Sequence, residues 1–434
     1  MIGRPSERPL MSRQVFATVG LLALVAYASR SIASETPAEK LRVASDFEGG
    51  SVQVLSIDQA QRVIRFTPGG DPERGWPCWW SFRIDGSREG ETITLDLKGS
   101  PLSARNNGKE TGKPLASSWA MPAQAAISSD GVAWRQTKPG TLQDGAMRYE
   151  ISGTGQPIHV AWGPPFTPKD TERLIADAHA RLPAASGFEL ATTRQGRPVR
   201  GLHIMATKNP NSPCVWIQAR QHAWESGASW VGRGVTEWLV SDADAARVLR
   251  SEAEIFIVPI MDVDNVATGN GGKEANPRDH NRDWDSAPVY PEVAAAQARL
   301  QKLAGEGRLS LFIDLHNPAP GDKRPFFFVG PPELLSLAGR ERRERFIQIA
   351  ARNINDPLAL LEAPRVTGPT YHPLWKQISG QWVNANGNPE TVSVCLETSW
   401  NTPHSTTDGY RTVGNQLAKS VAELMADVAV SPAN

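Results

Sequence analysis

The sequence predicts an α/β fold, with a mixed, mainly parallel sheet flanked by helices, preceded by an all-β sandwich. Three observations carry that expectation. From residue 41 to 165, apolar runs of strand length alternate with Gly, Pro, Asp and Asn, and no helical period interrupts them. From 168 to 430, strand-like runs alternate with helical patterns. Between the two parts, Gly163-Pro-Pro-Phe-Thr-Pro168 reads as a break followed at once by a helix start.

In the first part Ser51–Val54, Val63–Thr67, Trp79–Ile84 and Thr92–Leu97 read as strands of a sandwich of roughly a hundred residues. The helix start is Thr167, with Pro168 at the first helical position and Asp170 three residues on, approximating a capping box. Buried strands are then expected at Val199–Met205, Cys214–Gln218, Ile255–Ile260, Leu309–Leu315, Pro325–Val329 and Thr391–Leu396. Helical patterns fill Glu225–Leu239, Pro291–Leu303 and Arg342–Asn353, and an apolar stripe from Val413 to Val428 marks a last helix.

A chain of 434 residues can bury two cores. Lys plus Arg balance Asp plus Glu at 46 each, so no strong field points to nucleic acid or an acidic membrane. Arg4, Arg8 and Arg13 precede an apolar run from Val15 to Ala28, and Ser31-Ile32-Ala33 offers small residues for a signal peptidase. Residues 1–33 are therefore expected to be an export signal to the periplasm or exterior, with no membrane span once it is removed. The run is short for a span, which makes an uncleaved anchor the lesser reading. Cys78, Cys214 and Cys395 form no disulfide framework. The 14 Trp are scattered and read as core or cleft walls.

Functional groups in open α/β sheets gather at the carboxyl ends of the strands. His222 and Glu225 follow the run ending at Gln218, His316 closes Leu311–His316, and Glu397 closes Val392–Glu397. Asn281-Arg282 lies in a polar loop after the run ending near Ile260. Two imidazoles and a carboxylate are a zinc donor set with one coordination position open. A second carboxylate nearby can move protons, and an Arg beside an Asn can hold a substrate carboxylate.

With these residues in place, the chain resembles the zinc metallocarboxypeptidases of the carboxypeptidase A type. The matching pieces are His222-Ala-Trp-Glu225, Asn281-Arg282-Asp-Trp284, Asp314-Leu-His316 and Leu396-Glu397-Thr398, in the family's order, with Gly196-Arg197-Pro198 before the first core strand. The β-rich part, with Trp79–Ile84 and Trp162-Gly-Pro-Pro-Phe-Thr, is similar to the sandwich of the cytosolic-carboxypeptidase branch. The resemblance implies one Zn2+ on His222, Glu225 and His316, Glu397 as general base and acid, and Asn281 with Arg282 on the substrate's terminal carboxylate. Three places depart from the family. Asp262-Val-Asp264-Asn265 stands where Asn-Pro-Asp-Gly is usual. The arginine that polarises the scissile carbonyl has only Lys273 and Arg278 as nearest basic residues, and Tyr371 is the one counterpart for the closing tyrosine.

Blander readings stand beside these. His280 and Asp283 repeat the spacing of His222 and Glu225, but no apolar strand leads into them, so a structural, solvated role is expected. Glu225 could simply serve a helix start. Gly269-Asn-Gly271-Gly272-Lys273 lacks the Ser or Thr and the spacing of a phosphate loop, and reads as a flexible loop. No Gly-x-Ser-x-Gly occurs. The expected function is zinc-dependent hydrolysis of the C-terminal peptide bond of peptides or proteins, through zinc-activated water and a Glu base. The alternatives are a deacylase of N-acyl amino acids or an amidase of cell-wall peptides on the same site, and a non-catalytic peptide binder. The resemblance further implies a side-chain pocket drawn from Gly380–Thr391, where Glu390 is the only charge and no clear acidic floor for Lys or Arg is visible, and Lys376 alone hints at an acidic substrate.

Overall fold

A computed structural model describes residues 40–430, so the expected export signal at 1–33 lies outside the described residues. Among the described residues no helix is long and apolar enough to cross a membrane. The first part is a sandwich of two five-stranded sheets with an extra hairpin. One sheet runs Arg42–Ala44, Ser81–Asp85, Ile158–Ala161, Ala126–Ser128 and Arg135–Gln136. The other runs Thr141–Gln143, Ala146–Ser152, Thr92–Leu97, Val63–Thr67 and Gln53–Asp58, antiparallel except where Val63–Thr67 meets Thr92–Leu97. Phe66 of one sheet meets Trp80 and Phe82 beside the other edge-on, with ring centroids 5.3 and 4.9 Å apart. Such pairs add about 0.5–1.5 kcal/mol each beyond area burial. The strand expected from Trp79 begins at Ser81 instead. The indoles of Trp79 and Trp80 are committed to the carbonyls of Gly49 and Ala120.

The helix Pro168–Arg181 opens with the expected capping box on Thr167 and Asp170. Beyond it lies one eight-stranded mixed sheet, in the order Ala185–Thr192, Pro198–Ile204, Glu254–Val258, Cys214–Ala219, Leu309–His316, Val392–Glu397, Phe326–Val329 and Arg365–Val366. The four central strands are parallel neighbours, buried on both faces. Ala185–Thr192 and the helices Asp244–Glu252 and Ser379–Asn386 have no counterpart in the sequence reading. The strand is a half-exposed, bulged edge with little β-branching, and Ser379–Asn386 is mostly Ser, Gly, Gln and Asn, which read as turn.

Candidate metal centre and its cleft

The buried strand Cys214–Ala219 delivers the chain to Arg220, held at φ 61°, and the chain then enters the helix Ser226–Leu239 at Glu225. A non-glycine residue at positive φ is strained and must be held by its surroundings. Arg220 holds itself: buried, it donates Nε to the Ala223 carbonyl at 3.0 Å and Nη1 to the Phe166 carbonyl at 3.1 Å. Glu225 makes no capping bond with its side chain. Asn317 Oδ1 accepts from Ala228 N at 3.1 Å instead, which frees the Glu225 carboxylate at the positive end of the helix.

His316 and Glu397 end adjacent parallel strands and stand opposite one another in register. His222, Glu225 and His316, all buried, each bring a donor atom within 4.8 Å of the others. Glu225 Oε1 is 2.8 Å from His222 Nδ1 and Oε2 is 2.7 Å from His316 Nδ1. The far nitrogens are also matched: His222 Nε2 lies 3.1 Å from Asp279 Oδ1, and His316 Nε2 lies 3.1 Å from Asp314 Oδ2. A neutral imidazole has one N–H. Given to Asp279 and Asp314, those protons leave two Nδ1 lone pairs aimed at the Glu225 carboxylate. That arrangement repels itself unless a cation sits in the middle or both rings are charged. A carboxylate on the outer N–H is the usual support of a metal-bound imidazole, so the donor set fits one divalent ion. The ionisation follows the same demand. Burial opposes the Glu225 charge, but His222 and His316 overcome it and hold its carboxyl down at about 2. Burial disfavours a charged His316, yet Asp314 and Glu225 raise it well above the ordinary histidine range.

Glu397 faces this group across a cavity of about 250 Å³. Its Oε2 is buried without a hydrogen-bond partner among the described residues. Burial pushes the carboxyl up to about 7, against the nearby His316 and with the Glu225 charge. A buried carboxylate oxygen left unpaired is costly, which marks it as a working group.

Lys273, Asn281, Arg282 and Tyr371 line the same cavity; Arg278 does not. Arg278 pairs with Asp283 at 3.1 Å and Asp285 at 2.6 Å, which takes it out of the running for the carbonyl-polarising role. Arg282 donates Nε to His372 Nδ1 at 3.2 Å and Nη1 to the Asn281 carbonyl at 2.7 Å, leaving Nη2 without a partner among the described residues. Burial, with Arg282 and Lys273 nearby, lowers His372 to about 4, so the ring accepts as a neutral imidazole. Asn281 Oδ1 accepts from Ser379 N at 3.0 Å, while its Nδ2, 3.3 Å from a His316 Nε2 whose proton goes to Asp314, finds no acceptor there and stays available at the cavity that Asn281 lines. Tyr371 is 43% exposed and rests on Phe328, ring centroids 5.1 Å apart. His280 stacks on Tyr290 and meets Glu292 at 2.8 Å, and Asp283 accepts from Val289 N and Tyr290 N. That pair is structural, as expected, but buried rather than solvated. The variant Asp262-Val-Asp264-Asn265 is structural too. Asp262 caps a short helix, and Asp264 pairs with Arg197 of the Gly196-Arg197-Pro198 turn at 2.9 Å.

Sequence reasoning missed Arg220, Asn317 and Asp279, and gave Asp314 only as part of the Asp314-Leu-His316 match, without its orienting role. It also missed what the sandwich brings. Trp119 lines the cavity beside Trp224 of the ligand turn, their rings edge-on at 5.5 Å. Trp162 meets Trp224 at 5.3 Å and Trp400 at 4.3 Å, and Trp76 meets Trp119 at 4.8 Å. Five of the tryptophans read as scattered therefore touch in series where the two parts meet.

The eight-stranded mixed sheet with its flanking helices has the carboxypeptidase-like α/β fold. A metallocarboxypeptidase of Burkholderia cenocepacia shares that fold over 90% of this chain and 99% of its own, at TM-score 0.73 and 22% identity. A metallocarboxypeptidase of Pseudomonas aeruginosa gives 0.72 and 21% over 89% of this chain and 100% of its own. At these identities the likeness is one of fold. The family description "zinc carboxypeptidase" matches residues 171–297, and "cytosolic carboxypeptidase N-terminal domain" matches 43–162. The chain thus carries a zinc carboxypeptidase domain behind a cytosolic carboxypeptidase N-terminal domain. Human cytosolic carboxypeptidase 1 is 38% identical over 109 residues, which cover 24% of this chain and only 9% of that much longer protein. An uncharacterised protein of Zymomonas mobilis is 24% identical over 64% of this chain and 67% of its own.

Proposed function

We propose that the chain is a zinc carboxypeptidase that hydrolyses the last peptide bond of a peptide or protein. One observation carries the reading: a buried His–Glu–His donor set faces an unpaired carboxylate and an arginine with a free nitrogen across one cavity. Held by His222, Glu225 and His316, zinc would supply the Lewis acid that makes water a nucleophile near neutral pH. Glu397 Oε2 takes the proton of the attacking water and returns it to the leaving amine, and a carboxyl near neutrality suits both transfers. Arg282, oriented by His372 and the Asn281 carbonyl, receives the free carboxylate through Nη2. Asn281, its Oδ1 held by Ser379 N, offers its Nδ2 hydrogens to the same carboxylate.

The cavity also suggests which residue is released. Thr367, Gln381 and Ser393 line its wall, and Arg365 is held bidentately by Asp322. Lys376 is not at the cavity. On the wall formed by Thr367, Gln381, Ser393 and Arg365 no described charge is left unpaired, so neutral C-terminal residues are the expected substrates. The test is to purify the protein, count its zinc and offer a mixed peptide pool. Release of single neutral C-terminal residues, lost by at least about 100-fold in Glu397→Gln with zinc retained, supports the reading. Peptides left intact by a zinc-loaded protein overturn it.

A further inference from the structure

The five tryptophans where the two parts meet are not equivalent. Trp162, Trp224 and Trp400 are buried, while Trp76 and Trp119 are only partly so. Of those two, Trp119 is the one that lines the cavity before the metal group. It comes from the sandwich, on the short turn Ser117–Trp119, and no step of the hydrolysis calls on it.

Its position is fixed from several sides. Trp119 N donates to the Ala116 carbonyl at 3.1 Å, and the Trp119 carbonyl accepts from Trp162 Nε1 at 2.8 Å. The ring meets Trp76 and Trp224 edge-on, with centroids 4.8 and 5.5 Å away. Those two neighbours are tied to one loop. Trp76 N donates to the Lys273 carbonyl at 2.9 Å, and Trp224 N to the Gly271 carbonyl at 3.0 Å. A Cβ at Gly271 would overlap the Trp76 carbonyl, so only glycine lets the loop come this close. The stretch 269–273, read from the sequence as a flexible loop, is instead a brace between the two parts. A ring held in this way loses little freedom when a ligand rests on it.

The path of a peptide through the cavity gives that ring a use. The terminal carboxylate belongs at Asn281 and Arg282, and the last side chain at the wall of Thr367, Gln381 and Ser393. The scissile bond then lies between the metal group and Glu397. The chain before it must leave along the lining that remains beside the metal, which is Trp119, Trp224, Asn317, Pro318 and Ala319. Four of these five are apolar, and Pro318 is fixed through its carbonyl, which accepts from Trp400 Nε1 at 2.8 Å. Asp322, at the edge of this wall, is neutralised by Arg365 at 2.6 Å. Such a wall favours a large apolar side chain, and a tryptophan ring adds to that most for an aromatic one.

We propose that Trp119 is a specificity-determining residue: its ring receives the side chain that precedes the scissile bond and selects an aromatic one. The proposal rests on the carboxypeptidase reading. To the choice of a neutral last residue it adds a second choice, made by the N-terminal sandwich.

The test is kcat/KM of the full zinc-loaded chain on three peptides that share one neutral C-terminal residue and carry Phe, Ala or Glu before it. The Phe peptide is expected to exceed the Ala peptide about tenfold. Trp119→Ala should bring that ratio to within about twofold of unity while the Ala peptide stays within about threefold of its original value. Trp119→Phe, which keeps a smaller ring, should retain most of the ratio. A ratio measured on one preparation does not depend on how much of it is active, so a purely structural part for Trp119 would lower both peptides equally. Should Trp119→Ala fail to fold, Trp119→Gln, which keeps volume without a ring, takes its place. Equal loss on the Phe and Ala peptides, or a ratio near one in the unmodified protein, overturns the proposal. A preference for the Glu peptide also overturns it, and gives the position to Lys273, whose Nζ lies 5.3 Å from the Trp76 ring centroid. Release without discrimination leaves the carboxypeptidase reading standing, whereas release from none of the three removes that reading and this proposal with it.

Discussion

The two parts of the molecule bury their apolar residues differently. The α/β part closes a core of Val, Ile, Leu and Phe around its sheet. The sandwich does not close on itself: its core runs through Trp162 into Trp224 and Trp400, residues of the other part. Every expected ligand of the metal comes from the α/β part, and the grip on the loop beside it comes from the sandwich. One part places the chemistry and the other holds it. A break in sequence pattern at 163–168 is therefore no break in packing.

The largest expected effect tests the α/β side. Glu225→Gln removes one charge of the donor set while keeping its shape, and two lone-pair nitrogens then lack the carboxylate that anchors a cation. Bound zinc should fall to background, with turnover below detection, and zinc analysis of the dialysed protein is the measurement. Zinc retained at one ion per chain would mean that the metal sits elsewhere.

Next in size is the seam. Trp162 is 2% exposed, donates Nε1 to the Trp119 carbonyl at 2.8 Å and touches Trp79, Trp224 and Trp400. Trp162→Ala should cost about 3–5 kcal/mol. If the two parts fold as one, calorimetry gives a single transition that moves down as a whole. Two transitions, with only the lower one shifted, would break the comparison by showing two independent bodies.

A smaller effect separates holding a ligand from being one. Asp279 lies 3.1 Å from His222 Nε2 and accepts from Glu274 N, in the loop whose backbone the sandwich bonds through Glu73, Arg74 and Trp76, so it links that grip to the metal group. Asp279→Asn should weaken zinc binding about 10- to 100-fold, measured by competition with a chelator. No change would mean that the ring's orientation does not depend on this carboxylate.

These residues also show where reading the sequence stops. His222, Glu225, His316 and Glu397 are legible because parallel strands must end in register at one edge, and a polar residue closing an apolar run points there. The capping box at Thr167 is legible because its partners are three residues apart. Arg220 is not, since its role depends on a positive φ that its residue type does not advertise. Asn317 caps a helix 89 residues away in the chain, and the five tryptophans meet only through tertiary packing. Lys273 and Arg278 could not be ranked along the sequence, because Gly272 and Glu274, both at positive φ, bend the loop between them and the strand before it.

The smallest expected effect sharpens that last distinction. Arg278 and Lys273 lie five positions apart in one loop, but only Lys273 is in the stretch held by the sandwich. Arg278 turns to Asp283 and Asp285 with 32% of its side chain exposed, and Asp283 keeps two backbone donors, Val289 N and Tyr290 N, if the arginine goes. Arg278→Gln should therefore leave kcat/KM within about twofold and cost about 1 kcal/mol or less, the range of part-exposed ion pairs. Placed beside Lys273→Met, it asks which of the two is the counterpart of the family's carbonyl-polarising arginine. If Arg278→Gln costs turnover and Lys273→Met does not, the cation beside the carbonyl lies outside the stretch that Glu73, Arg74 and Trp76 hold, and the sandwich is a support without a share in the chemistry.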